Sequence, residues 1–140
     1  TKPTKRRELF GVLEEIERKL PGEQKGEDEK REVANLMVQK AMDYIALNYS
    51  GKVSLKEIAQ ELYLSPNYLS ELFKRHTGKN ISEYITQFRL EKARRYLQQP
   101  EYKIGDVAEL VGFSDQRYFS SMFKRQYGMT PNEYRNGNVK

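Results

Sequence analysis

The sequence predicts an all-α fold: two helix–turn–helix subdomains joined by a connector helix, with an extra helix at the N-terminal side. Three observations predict it. The stretch Ile104 to Arg135, IGDVAELVGFSDQRYFSSMFKRQYGMTPNEYR, reads as helix, tight turn, helix. Its Ile104, Val107, Ala108 and Val111 fall at i, i+3, i+4 and i+7, and Gly112 follows, the residue that takes a left-handed turn cheaply. The stretch Ser54 to Gly78, SLKEIAQELYLSPNYLSELFKRHTG, repeats that pattern about 50 residues earlier. Between the two lies a helical run that opens on Asn80 and Glu83 and stops before Pro100.

Taken in order, residues 1–20 are a basic start followed by an amphipathic helix with the stripe Leu9, Leu13, Ile16 and Leu20 and Phe10 beside it. Such a stripe needs a partner surface, either another copy or the rest of this chain. Residues 21–31, PGEQKGEDEKR, carry no apolar side chain and are expected to be a flexible linker. A long helix follows, about Glu32 to Tyr49, with Val33, Met37, Tyr44 and Ile45 on its face and Ser50–Gly51 ending it.

In the first helix pair, Ser54 and Glu57 fit a capping box. Leu55, Ile58, Ala59 and Leu62 match Ile104, Val107, Ala108 and Val111, and Leu64-Ser65 matches Phe113-Ser114. The turn is one residue shorter, after which Phe73-Lys74-Arg75 matches Phe123-Lys124-Arg125 and Gly78 matches Gly128. Tyr63 stands where the second copy has Gly112, so this pair has to turn without glycine. In the second copy Ser114 is the expected N-cap, with Phe119, Met122 and Phe123 inward and Asp115, Gln116, Arg117, Ser120 and Ser121 outward. Residues 32–98 form the expected first subdomain with its connector, and residues 99–140 the second. On the connector, Ala93 suits close helix packing, and Arg89 is assigned a structural role.

Composition bounds the function. The 140 residues carry a net charge of +5 and a pI near 9.3, which suits a polyanionic partner. Cysteine is absent, which fits a reducing compartment such as the cytoplasm. No apolar run approaches the ~20 residues of a membrane span, and no signal peptide is evident. His76 is the single histidine, and it lies next to the helix-ending Thr77-Gly78. The sequence offers no metal-ligand cluster, Gly-rich phosphate loop or nucleophile constellation, so neither an enzyme nor a cofactor is expected. Thr1 is not an initiator methionine, so a longer parent protein is expected.

A polar, partly cationic face at the start of the second helix of a helix pair, in a basic chain, points to the major groove of DNA. The second copy closely resembles the C-terminal signature of the AraC/XylS family of bacterial transcription regulators. The resemblance lies in Ile104, Val107-Ala108, Gly112-Phe113, Tyr118-Phe119, Phe123-Lys124, Gly128, Pro131 and Tyr134-Arg135, and it extends upstream to about Ala41. It implies a homeodomain-like, duplicated DNA-binding domain with no enzymatic activity. It also implies double-stranded DNA and RNA polymerase as partners, with activation as the expected outcome. Dimerisation, where it occurs, is assigned to the part upstream of Thr1. Lys2-Pro3 followed by a helix with Glu8-Leu9 resembles the end of a response-regulator receiver domain, where a Lys-Pro pair precedes the last helix.

The resemblance carries the family's base-reading positions onto Asn67, Tyr68, Ser70 and Glu71 in the first copy and onto Gln116, Arg117, Ser120 and Ser121 in the second. The chemistry agrees, because Asn and Gln can pair with adenine, Arg with guanine, and Glu can accept from cytosine. Glu71 departs from the arginine frequent in relatives, and it either reads cytosine or repels phosphate. Tyr68 and Tyr118 can instead pack in the turn, Tyr118 the more so. Phosphate contacts are expected from Lys74, Arg75, Lys124, Arg125 and Arg135, whose alternative role is solubility. The rival reading is a helical protein-interaction module that docks on another regulator or on RNA polymerase. RNA suits such reading helices less well, because its major groove is deep and narrow.

Overall fold

The computed structural model describes residues 24–139. They form seven α-helices with no strand among them. These are α1 (Gln24–Asn48), α2 (Leu55–Leu62), α3 (Pro66–Thr77), α4 (Ile81–Leu97), α5 (Ile104–Leu110), α6 (Gln116–Tyr127) and α7 (Pro131–Val139). The expected amphipathic helix of residues 1–20 and the Lys2-Pro3 pair lie outside the described residues.

Helix α1 starts earlier than its hydrophobic pattern suggests. Residues 24–31, expected as linker, are its first turns. A polar composition does not oppose a helix, because Gln, Lys, Glu and Arg are strong helix formers. Gly26 is buried there. The buried stripe is Ala34, Met37, Val38, Ala41 and Ile45, at i, i+3, i+4, i+7 and i+11. Val33 and Tyr44, expected on that face, are half-buried at its edges.

The chain divides into two compact units. The first holds residues 24–47 and Val53–Ser82, and the second holds Asn48–Lys52 and 83–139. In the first, α2 packs on α3, and Ile58, Ala59, Leu62, Leu64, Leu69, Leu72 and Phe73 are buried. In the second, α5 packs on α6 and α6 on α7. There Leu90, Ala93 and Leu97 of α4 join Val107, Ala108, Val111, Phe113, Phe119 and Phe123 in one core. The connector was grouped by sequence with the first subdomain. Its stripe at 90, 93 and 97 instead faces the second helix pair, so most of it belongs there. Each fully buried Phe contributes about 1.5–3 kcal/mol of transfer free energy.

The two tight turns share a backbone. The Tyr63 N–H donates to Gln60 O at 3.2 Å and the Leu64 N–H to Ala59 O at 2.9 Å. Gly112 and Phe113 repeat these bonds to Glu109 O at 3.1 Å and Ala108 O at 2.9 Å. Both turns need a positive φ, which is +59° at Tyr63 and +102° at Gly112. The first copy therefore holds a tyrosine in the left-handed region, at the steric cost such residues carry.

Two arginines close the ends of two helices. Arg89 donates from Nε to Tyr49 O at 2.7 Å and from a terminal nitrogen to Gly51 O at 3.0 Å. The carbonyls of the turn just beyond α1 are thereby satisfied within the second unit, in line with the structural role assigned to Arg89. Burial lowers the pKa of this guanidinium. Arg135 does the same at the end of α4, donating from Nε to Leu97 O at 2.8 Å and from a terminal nitrogen to Gln99 O at 3.3 Å.

Candidate nucleic-acid interface

The second helix of each pair presents one face to the core and one to solvent. In α3, Leu69, Leu72 and Phe73 are buried, while Asn67, Glu71 and Lys74 are exposed and Ser70 is half-buried. In α6, Phe119 and Phe123 are buried, while Arg117, Ser121 and Lys124 are exposed and Ser120 is half-buried. Positions 67, 70, 71 and 74 form a single helical stripe, and 117, 120, 121 and 124 form its counterpart. Each unit thus carries a polar stripe at the same register on its second helix.

The starts of these helices differ. Ser65 caps α3, its Oγ accepting from the Tyr68 N–H at 3.1 Å. Pro66 follows at the first helical position, where a missing N–H costs nothing. In α6 the cap is Asp115, not the expected Ser114, and Asp115 Oδ1 accepts from the Arg117 N–H at 2.9 Å. The residue inserted in the second turn supplies this cap, and its carboxylate suits the positive end of the helix. In the first pair Ser54 stands at the N-cap of α2, but its hydroxyl bonds the Glu57 carboxylate rather than a backbone N–H. Asp106 accepts from the Lys103 N–H at 3.0 Å at the start of α5. A reciprocal box sits at α7, where the Thr130 N–H reaches Glu133 Oε1 at 2.9 Å and the Glu133 N–H reaches Thr130 Oγ1 at 3.1 Å.

The reading candidates divide further. Gln116 is exposed, yet its Oε1 lies 2.8 Å from where a Cβ on Gly105 would stand, so its amide rests on α5. Tyr68 is half-buried. Tyr118 was expected to pack in the turn. Its ring does lie 6.0 Å from that of Phe113, but it remains 54% exposed, which places a phenol beside Arg117 on the outer face.

The cations divide as well. Lys74 and Arg75 lie in the last turn of α3, and Lys124 and Arg125 in the last turn of α6; all four are exposed. They also complement the negative end of each helix. Both helices end on a left-handed glycine, Gly78 at φ +80° and Gly128 at φ +79°. Arg135, expected to reach phosphate, is half-buried and bonded to the Leu97 and Gln99 carbonyls. The structure therefore gives it a helix-closing task. His76 Nδ1 lies 3.0 Å from Leu72 O, one turn back along its own helix. Among the described residues no group of three His, Cys, Asp or Glu side chains could hold a metal ion. No described helix is long and apolar enough to cross a membrane.

Two helix pairs with matching turns, matching glycine C-caps and polar second helices define a duplicated helix-turn-helix protein. The helix-turn-helix domain profile matches residues 58–137, more than half of the chain, and the chain belongs to this family in its AraC-type form. It is 38% identical over 92 residues to YpdC of Escherichia coli K12, an HTH-type transcriptional regulator; the match covers 66% of this chain and 32% of YpdC. The chain thus spans about a third of that relative's length. Among solved structures it resembles the C-terminal domain of AraT, a response regulator from Geobacillus stearothermophilus. The TM-score is 0.70 at 37% identity, covering 72% of this chain and 84% of that one. It also resembles the C-terminal domain of the response regulator YesN from Fusobacterium nucleatum, with a TM-score of 0.66 at 37% identity, covering 73% and 97%.

Proposed function

We propose that this chain is the DNA-reading part of a bacterial transcription regulator that acts in the cytoplasm on a promoter or operator, most simply as an activator that also touches RNA polymerase. The observation that carries this reading is the repeated polar stripe, 67/70/71/74 on α3 and 117/120/121/124 on α6, each backed by a buried face on a capped helix. Each stripe enters a major groove with its N-terminal residues at base edges. Asn67, Ser70 and Glu71 read one half of the site, with Tyr68 at their edge. Arg117, Ser120 and Ser121 read the other, with Gln116 at their start. Lys74, Arg75, Lys124 and Arg125 supply phosphate contacts and hence most of the salt-dependent affinity.

With a reading helix in each unit, one chain offers two helices for two successive major grooves, whose repeat along the duplex is ~34 Å. AraT and YesN are response regulators, which supports an upstream receiver domain here, to which Lys2 and Pro3 belong. Dimerisation then falls to that upstream part.

Selection of binding sites from random duplex DNA tests the reading, followed by footprinting. Enrichment of one motif with two halves about one helical turn apart is the expected result. A pool that never enriches, with no protection at moderate salt, would exclude it and leave the protein-interaction reading. A parent gene without a receiver upstream of Thr1 would remove the response-regulator assignment alone.

A further inference from the structure

Helix α1 begins at Gln24, well ahead of Ile58, where the family match starts. Within the first unit its initial turns and the flank of α3 border a cleft of about 430 Å³. Glu27, Lys30 and Arg31 line it on the α1 side, and Tyr68, Arg75 and His76 on the α3 side. Ala34 and Leu72, both buried, close its base.

The position of the cleft follows from helix arithmetic. Residues 68, 72, 75 and 76 form the stripe next to 67, 70, 71 and 74, because successive residues are about 100° apart around a helix of 3.6 residues per turn. The cleft therefore borders the face proposed to enter the major groove. A helix in that groove has a sugar–phosphate strand along its flank, and phosphates there take cations and hydroxyls. The cleft offers Lys30, Arg31 and Arg75, opposed by the carboxylate of Glu27. Asp28 lies 3.7 Å from Arg31, with both side chains more than half exposed. A surface pair of that kind is weak and readily exchanged for a stronger anion.

We infer that the first turns of α1 are a second wall for the DNA backbone, with Lys30 and Arg31 joining Arg75 on phosphates beside α3. This rests on the DNA-binding reading above and extends the contact surface beyond the matched family segment. The probe is sheared duplex DNA of mixed sequence, because phosphate contacts do not depend on sequence.

Binding is titrated at stepped potassium chloride concentrations for the full chain and for Lys30→Ala/Arg31→Ala, with helicity checked by circular dichroism. The slope of log K against log salt is expected to flatten by about 1.8, two contacts at about 0.9 each. The charge-preserving Lys30→Arg/Arg31→Lys variant should keep the original slope, and Glu27→Gln should tighten binding. Lys40→Ala removes a charge from the same helix about 15 Å further on and should leave the slope alone. An unchanged slope in the double alanine variant overturns the inference while the DNA reading stands. So does a drop per charge in Lys40→Ala equal to that in the double variant, which would mean general charge and no cleft. Failure of the unaltered chain to bind removes both.

Discussion

The guanidinium of Arg89 occupies the space that a side chain on Gly112 would need. A Cβ at residue 112 would stand 2.9 Å from Arg89 Nε and 2.7 Å from the Tyr49 carbonyl oxygen that Arg89 holds. The glycine is required twice, once for φ +102° and once for this approach. Gly112→Ala is therefore expected to cost about 3 kcal/mol or more. Gly78→Ala and Gly128→Ala meet nothing within 4 Å and face only the left-handed penalty, about 1–2 kcal/mol. Urea titration of the three variants checks the order. A Gly112 variant no worse than the other two would refute the steric account. At the equivalent position Tyr63→Gly should be tolerated within about 1 kcal/mol, because relief of backbone strain offsets the lost ring.

Arg135 and Lys124 should behave as opposites. Arg135→Ala removes charged hydrogen bonds to the Leu97 and Gln99 carbonyls and is expected to destabilise the chain by about 1–3 kcal/mol. It should leave the salt slope of DNA binding intact. Lys124→Ala should hardly alter the melting temperature but should flatten that slope by about 0.9. Melting curves and salt titrations on the two proteins decide it, and a flattened slope in Arg135→Ala would restore Arg135 to the phosphate set.

Arg117→Ala should relax base preference at one position of the selected site, at a cost of about 1–3 kcal/mol for the preferred base. Its side chain is exposed at the start of α6 while its backbone N–H is tied to Asp115. The cap survives the substitution, so folding is not at issue. A selected motif identical to that of the unaltered chain would count against a reading role.

Tyr127→Phe should leave stability unchanged or raise it slightly. The Tyr127 hydroxyl is buried with no hydrogen-bond partner of normal geometry, and burial raises its pKa, with Arg94 nearby opposing the rise. Removing an unsatisfied buried polar atom costs nothing. The ring contacts remain, at 4.7 Å to Phe123 and 5.0 Å to the Arg94 guanidinium. A loss above about 1 kcal/mol in chemical denaturation would show that the hydroxyl has a partner.

The Thr130–Glu133 box sets a pH dependence. Hydrogen bonds from the Thr130 backbone N–H and then from its side chain hold the Glu133 pKa below the ordinary carboxylate value. A folded pKa below the unfolded one means stabilisation that is present above the unfolded carboxylate range and lost as the pH falls through it into the folded value. Glu133→Gln should flatten the acid limb of the melting temperature against pH. Thr130→Ala should cost about 1 kcal/mol at neutral pH. An unaltered acid limb in the glutamine variant would rule the box out as a source of that dependence.

Much of this protein was legible along the chain because its signals are local. The apolar spacings of α2 and α5, the glycines after α3, α5 and α6, and the repeat that aligns Leu64 with Phe113 depend on neighbours within a turn or two. The outward stripes on α3 and α6 follow from the same arithmetic. Less was legible where a decision depends on residues far apart. The polar turns at 24–31 looked like linker, because composition alone does not say whether a good helix former has a helix to continue. Ser114 looked like the cap because serine often is, yet one inserted residue passed that task to Asp115.

The sequence by itself determined six of the seven described helices, α1 to α6, and the side chains that α3 and α6 show to solvent, since those are set by propensity, period and capping chemistry. Only the tertiary structure decided that α4 packs with the second helix pair and that Arg89 and Arg135 serve carbonyls. Both depend on groups distant along the chain, some 40 residues apart for the arginine bonds, and no window of neighbouring residues contains both partners.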